Sequence, residues 1–348
     1  MIYLICKDWL NTSNNHAGIK YLCNYFSTNY PQDFCSVIQP LNKRRINNNS
    51  LISKIYKKIV LDRLNKIQNT REAIKIVNNL KKLIRKDDII VLMEYMDVNV
   101  NQYEIVKRLN KFDVQIRIFG MSHLTPMLMK KMFSKKEIEK WISKVDGLIT
   151  LGTSLSAFYM KNGINDSRIK TTFHYVDDYY IESPQRHDSF KVLVQGSQAR
   201  DYNTLIPIIR DNPTISFVIC QGLGNKQQFS LFPNVELKSY LSEQELKKLM
   251  SDCDVSLNVM LDTVGSNVIV TSMGMGLAMI CSEVGSIHDY CDNNNTFFCN
   301  SVEDFNRTIQ KLHSDRELLF NMRQSSFEKS KDFRLNAFYI EFKKILEE

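Results

Sequence analysis

Short apolar runs alternate along the whole chain with longer stretches in which apolar positions recur at helical spacing. Runs without polar alternation mark strands buried on both faces, and intervening helices are what parallel strands need to return to the same edge. In the first half the pattern predicts strands over 2–6, 34–40, 88–94, 115–120 and 147–152, with a helix beginning near Gly18. In the second half it predicts strands over 191–195, 216–220, 235–237, 255–259, 278–281 and 296–299. Ser242, followed three residues later by Glu245, predicts a capping box opening a helix over 243–250. A polar, proline-containing stretch at 175–188 interrupts the series and reads as an interdomain linker, and 302–347 is helical throughout. The expected fold is therefore α/β, with two Rossmann-like doubly wound domains at 1–180 and 181–325. A terminal helix, 326–348, is expected to cross back to the first domain.

Composition changes this picture in three places. A chain of 348 residues is too long for one small core, which favours two domains. It has no apolar run of about eighteen residues, and its opening strand lacks the features of a secretory signal, so a cytoplasmic location is expected. Eight cysteines are scattered without a C-x-x-C pair or a histidine at zinc-finger spacing, which reads as buried thiols in a reducing compartment and predicts no metal centre.

The net charge of +8 is unevenly shared: residues 1–180 carry 29 Lys/Arg against 16 Asp/Glu, and residues 181–348 carry 17 against 22. The basic half calls for an anionic partner. Its charge concentrates in 43–86, where Lys54, Lys57, Lys58, Arg63, Lys66, Lys81, Lys82, Arg85 and Lys86 interleave with Ile52, Ile55, Ile59, Val60 and Leu64. Such a pattern suits an anionic membrane surface or a row of phosphates, and equally a solvated helix face. No RNA-binding signature is present, so nucleic acid is not expected as a partner.

Ligands of doubly wound sheets sit at the carboxyl ends of the strands, so the chemistry should lie in the loops there. The most informative is 261–280. A strand ends near Met260, a turn follows, and a small-residue helix begins, so that backbone amides of Gly265, Ser266, Asn267 and Val268 are offered to a diphosphate at a helix N-terminus. A plain N-cap explains the same residues equally well. Asp252-Cys253-Asp254 has the form of a metal-binding D-x-D, but it falls where a helix gives way to a buried strand, and Asp177-Asp178 falls in the linker. Gly222-Leu223-Gly224 resembles half a dinucleotide fingerprint, without the third glycine or the acid.

Over roughly 145–332 the chain resembles the family 4-like glycosyltransferases of the GT-B fold, in a capsule or exopolysaccharide type. The similarity is carried by Ser272-Met273-Gly274-Met275-Gly276-Leu277-Ala278-Met279-Ile280-Cys281-Ser282-Glu283-Val284-Gly285 and by Tyr240-Leu241-Ser242-Glu243-Gln244-Glu245-Leu246. In that family a first glutamate contacts the donor sugar and a second, eight residues on, the nucleotide ribose. These positions are Thr263 and Thr271 here. The resemblance implies that Asp262 supplies a displaced carboxylate and that the Thr271 hydroxyl donates to the ribose. Gln195-Gly196-Ser197-Gln198-Ala199-Arg200 is similar to the family's glycine loop, and Arg200, the loop's one cation, has a fork suited to the diphosphate. Gly18, after Asn14-Asn15-His16-Ala17, matches a glycine turn of the first domain that faces the donor phosphate. His123 matches a cleft histidine at the end of a strand.

What the resemblance implies is a GT-B arrangement, two domains facing each other across a cleft, that moves a sugar from a nucleoside-diphosphate sugar to a hydroxyl of a glycan or lipid-linked acceptor. It implies retention of configuration, no cofactor beyond the donor substrate, and a role in surface polysaccharide synthesis at the inner face of the cell membrane. Two rivals predict otherwise: a degenerate transferase acting as a binding module, and a nucleotide-sugar epimerase on the same fold. The latter would require several acids and histidines in the second half for proton abstraction.

Overall fold

The structure, a computed structural model, describes residues 1–9, 16–40, 60–98, 100–220, 227–239 and 241–348. Residues 43–59 of the basic stretch, Asn14-Asn15, Gly222-Leu223-Gly224 and Tyr240 lie outside these. Two compact units emerge: Met1–Leu124 with Leu128–Thr150 and Tyr159–Lys170, and Thr125–Met127 with Leu151–Phe158 and Thr171–Glu348.

Among the described residues the first unit holds a six-stranded sheet of β1 (Ile2–Lys7), β2 (Phe34–Gln39), β3 (Ile89–Leu92), β4 (Arg117–Ser122), β5 (Gly147–Thr150) and β6 (Ile169–Thr171), in the order β2-β1-β3-β4-β5-β6. The pairs β1 with β2, β1 with β3, β3 with β4 and β4 with β5 are parallel. The chain reverses its direction of growth between β1 and β3, the switch point of this sheet. All of β1 is buried, as the unalternating apolar run over 2–6 requires, and Lys7 at its end is buried with it. The helices of this stretch of chain are α1 (Ile19–Asn29), α2 (Asp62–Leu83), α3 (Gln102–Leu109), α4 (Pro126–Met132), α5 (Lys135–Ile142) and α6 (Thr153–Lys161). Leu22 and Phe26 of α1, and Ile105 and Leu109 of α3, give each an apolar stripe at i, i+4 spacing that is buried. On α2, by contrast, Leu64 and Ile67 stand exposed beside Arg63 and Lys66. No helix among the described residues is long and apolar enough to cross a membrane.

Just beyond β3, Glu94 is buried, and its carboxylate accepts the Lys7 amide (2.7 Å) and the Trp9 indole N–H (2.5 Å). Burial outweighs these donors and raises its pKa from 4.5 to about 7. Folded Glu94 thus keeps a proton that the unfolded chain releases, so its contribution to stability is whole below 4.5 and lost as pH rises through 7. We expect wild type to lose up to about 3 kcal/mol relative to Glu94→Gln between about pH 5 and about pH 8, measured by urea unfolding. Parallel pH profiles of the two proteins would contradict this.

The second unit repeats the architecture. Among the described residues its sheet comprises β7 (Lys191–Gln195), β8 (Ser216–Cys220), β9 (Val235–Lys238), β10 (Val255–Asn258), β11 (Ala278–Ser282) and β12 (Thr296–Cys299), ordered β12-β11-β10-β7-β8-β9 and paired in parallel throughout. Val192, Val194, Phe217, Ile219, Val255 and Leu257 enter one apolar core, while Leu193, Val218, Met279 and Cys281 enter another. Alternate residues of the same strands serve the two cores, because both faces are covered. The helices are α7 (Tyr202–Asp211), α8 (Glu243–Ser251), α9 (Asn267–Gly274), α10 (Val302–Ser314), α11 (Arg316–Lys329) and α12 (Leu335–Glu347). Ser242 and Glu245 form the expected capping box on α8.

Two sequence expectations are revised. The stretch 175–188 is packed onto the second unit. Val176 and Tyr180 are buried in its core, Val176 bridges Arg334, and the Tyr180 hydroxyl donates to Glu243 (2.9 Å). Strand β6 ends at Thr171, so the first unit closes before residue 180, and the terminal helix α12 is grouped with the second unit. Asp254 of the discounted D-x-D is fully buried, where it accepts from Arg323 (2.9 Å), His187 (3.0 Å) and the Lys191 amide (3.0 Å).

Candidate functional site

The second sheet has its switch point between β7 and β10, and the two loops that leave these strands are stitched together. Leu261 donates its amide to the Ala199 carbonyl (2.8 Å), Asp201 to that of Val259 (3.1 Å), and Arg200 bridges Met260. Gly196 turns the first loop out of β7 in the left-handed region, at φ 81°.

Arg200 points inward and is 7% exposed. Its Nη1 donates to Asn258 Oδ1 (3.1 Å) and its Nη2 to the Gln195 carbonyl (2.6 Å). Its Nε has no partner and, among the described residues, it makes no ion pair. Gln195 Oε1, a few atoms away along the chain, is likewise buried without a partner. Burial lowers the guanidinium to about 10, so it remains charged at neutral pH. A buried cation ordinarily has an acid beside it. Here none is supplied among the described residues.

What stands beside it is the start of α9. A Cβ on Gly196 would lie 3.1 Å from Arg200 Nη2 and 3.2 Å from Val268 Cγ2, so the loop glycine, the guanidinium and the first turn of α9 converge on one spot. Ser266 caps the helix, its Oγ accepting the Ile269 amide (3.3 Å). Gly265 precedes it at φ 81°, lying over the Tyr290 ring. The Tyr290 hydroxyl accepts the His174 amide (2.9 Å) and donates to the Leu151 carbonyl. His174 Nδ1 donates to Asn267 Oδ1 (2.9 Å). The first-turn amides of a helix have no acceptor within it, and with the macrodipole they make this end electropositive.

The other expected residues are placed as follows. Thr263 is buried and its Oγ1 accepts the Gly265 amide (3.0 Å), which shapes the turn. Asp262 accepts two main-chain amides, Thr263 on Oδ1 (2.9 Å) and Met127 on Oδ2 (2.8 Å). The Thr271 hydroxyl donates to the Asn267 carbonyl one turn back (2.5 Å). Ser197 is exposed and Leu241 half-buried. In the first unit, Gly18 is the N-cap of α1 with an ordinary negative φ. His123 Nε2 donates to the Met93 carbonyl (2.7 Å), and burial lowers its pKa, favouring the neutral ring.

Sequence reasoning missed Gln195 and Asn258, which hold Arg200, and Tyr290 and His174, which underlie the turn at Gly265. The first two carried a signal: each is a polar residue at the carboxyl end of a strand. Tyr290, 25 residues from Gly265, had none.

Residues 203–315 match the family described as glycosyl transferases group 1. No curated protein matches the sequence. Among solved structures, HepE of Anabaena in complex with UDP and glucose is similar over 99% of both chains at 12% identity, with a TM-score of 0.71. The lipopolysaccharide outer core galactosyltransferase WaaB is similar over 99% of this chain and 98% of that one, at 13% identity and a TM-score of 0.68. A TarM variant of S. aureus, in complex with fondaparinux, alpha-GlcNAc-glycerol and UDP, is similar at 15% identity and a TM-score of 0.61; the match covers 78% of this chain and 58% of TarM. The family match over 203–315 and the shared fold together support a glycosyltransferase of the GT-B fold.

Proposed function

We propose that the chain transfers a sugar from a UDP-sugar to a hydroxyl of a glycan or lipid-linked acceptor in surface polysaccharide synthesis. The observation that carries this is Arg200, a buried guanidinium with no acid among the described residues, set against the first turn of α9. Together they offer one full and one partial positive charge to the β-phosphate, where negative charge grows as the sugar–oxygen bond breaks. That accounts for leaving-group stabilisation without calling on a metal ion or a cofactor beyond the donor. The choice of uridine follows the UDP complexes of HepE and TarM. Retention of configuration follows the family resemblance. The acceptor falls to the first unit, whose basic residues and exposed Leu64 and Ile67 suit a peripheral contact with an anionic membrane from the cytoplasmic side. Co-sedimentation with anionic but not neutral vesicles checks that contact.

Thermal unfolding in the presence of UDP, GDP, CDP and dTDP tests the donor site. UDP is expected to raise the Tm most, since a ligand bound only by the folded state stabilises it. No shift with any of the four would sink the reading. Stabilisation by UDP without consumption of any UDP-sugar would leave a nucleotide-binding module.

A further inference from the structure

The first sheet has a switch point of its own, and an aromatic side chain is fixed there by an unusual device. Trp9 leaves the end of β1, half-buried, and its indole N–H is held by Glu94 Oε1. Glu94 in turn is tied to the backbone of both central strands. Its Oε2 accepts the Lys7 amide, its own amide donates to Gln102 Oε1 (3.1 Å), and Gln102 Nε2 donates to the Ile5 carbonyl (3.0 Å). Beside it, Met93 receives His123 from the end of β4. A fold that needed only to hide an indole would surround it with apolar side chains. Here a buried acid accepts the indole N–H, and the half-buried ring stands at the carboxyl end of the sheet, where ligands of such sheets bind.

We propose that Trp9 is the platform on which a sugar ring of the acceptor stacks, with Glu94 as its positioning residue. The acceptor class is then a carbohydrate that presents an apolar C–H face, and the lipid of any lipid-linked acceptor lies beyond that ring. The inference rests on the transferase reading and deepens it. Stacking on a rigid, pre-oriented ring forfeits little side-chain entropy, which is why an anchored indole serves better than a mobile one.

The chain has two tryptophans, so Trp141→Phe leaves Trp9 as the sole indole emitter. The experiment titrates this variant with maltose, lactose, cellobiose, diacetylchitobiose and octyl glucoside, following emission. A saturable change with at least one of them is expected. Adding Glu94→Leu, which takes away the acceptor of the indole N–H, should shift the unliganded emission and weaken the saccharide response about tenfold, and Glu94→Gln, which keeps an acceptor oxygen, should restore part of it. If Trp141→Phe unfolds, the difference between wild type and Trp9→Phe supplies the same readout. Silence towards every saccharide overturns the proposal. If such a protein still consumes a UDP-sugar, the transferase reading survives alone. A Trp9 that responds in a protein unable to bind any nucleotide would instead leave a carbohydrate site and remove the transferase.

Discussion

Gly265→Ala is expected to destabilise the second unit by about 2–5 kcal/mol and to abolish stabilisation by UDP. Two effects add. An L-residue at φ 81° carries roughly 1–2 kcal/mol of backbone strain. The new Cβ would also lie 2.1 Å from Tyr290 Cε2 and Cζ, and overpacking of a fixed core adds about 1–3 kcal/mol. The ring cannot yield easily. It is fully buried, stacked on Phe333 with centroids 5.3 Å apart, and its hydroxyl is bonded on two sides by the His174 amide and the Leu151 carbonyl. The backbone must yield instead, and the backbone there is the entrance to α9, so the amides offered to the diphosphate move with it. Urea unfolding gives the first quantity and thermal shift with UDP the second. Tyr290→Leu in the same background should recover part of the stability, because the clash and the ring are one interaction. A Gly265→Ala protein within about 0.5 kcal/mol of wild type would show that the turn is not held as described.

That turn also marks where sequence legibility ends. Strands such as Lys191–Gln195 and Thr296–Cys299 were legible because parallel strands covered on both faces must be apolar without interruption, a property written locally. The capping box at Ser242 and Glu245 was legible for the same reason: its partners are three residues apart. Strand Ile169–Thr171 was not, being three residues long with two of them half-exposed. The polar stretch at 175–188 resembled a linker because its composition hides Val176 and Tyr180, whose partners, Arg334 and Glu243, are far off in sequence. Arg200 stood out as the cation of its loop, yet its partner Asn258 lies 58 residues away. Thr271 sits at a family glutamate position, but a hydroxyl on a helix bonds back to its own backbone, where a longer carboxylate would reach outward.

Arg200→Met should separate the site's chemistry from its fold. Methionine fills similar volume without charge. Losing a buried guanidinium removes a desolvation penalty that no acid among the described residues offsets, while leaving Asn258 Oδ1 and the Gln195 carbonyl without their donor. These effects oppose each other, so stability should move by no more than about 1–2 kcal/mol. Function has no such compensation. If the guanidinium takes up charge on the departing diphosphate, kcat/KM for the donor should fall about a hundred- to a thousandfold, and the UDP-induced rise in Tm should largely vanish. Arg200→Lys sharpens the test. It keeps the charge but cannot hold Asn258, the Gln195 carbonyl and a phosphate with one planar fork, so its loss should lie between wild type and methionine. A folded Arg200→Met protein that binds UDP as wild type does would mean that the buried cation serves the loop alone, and the phosphate would have to be held by the first turn of α9 without it.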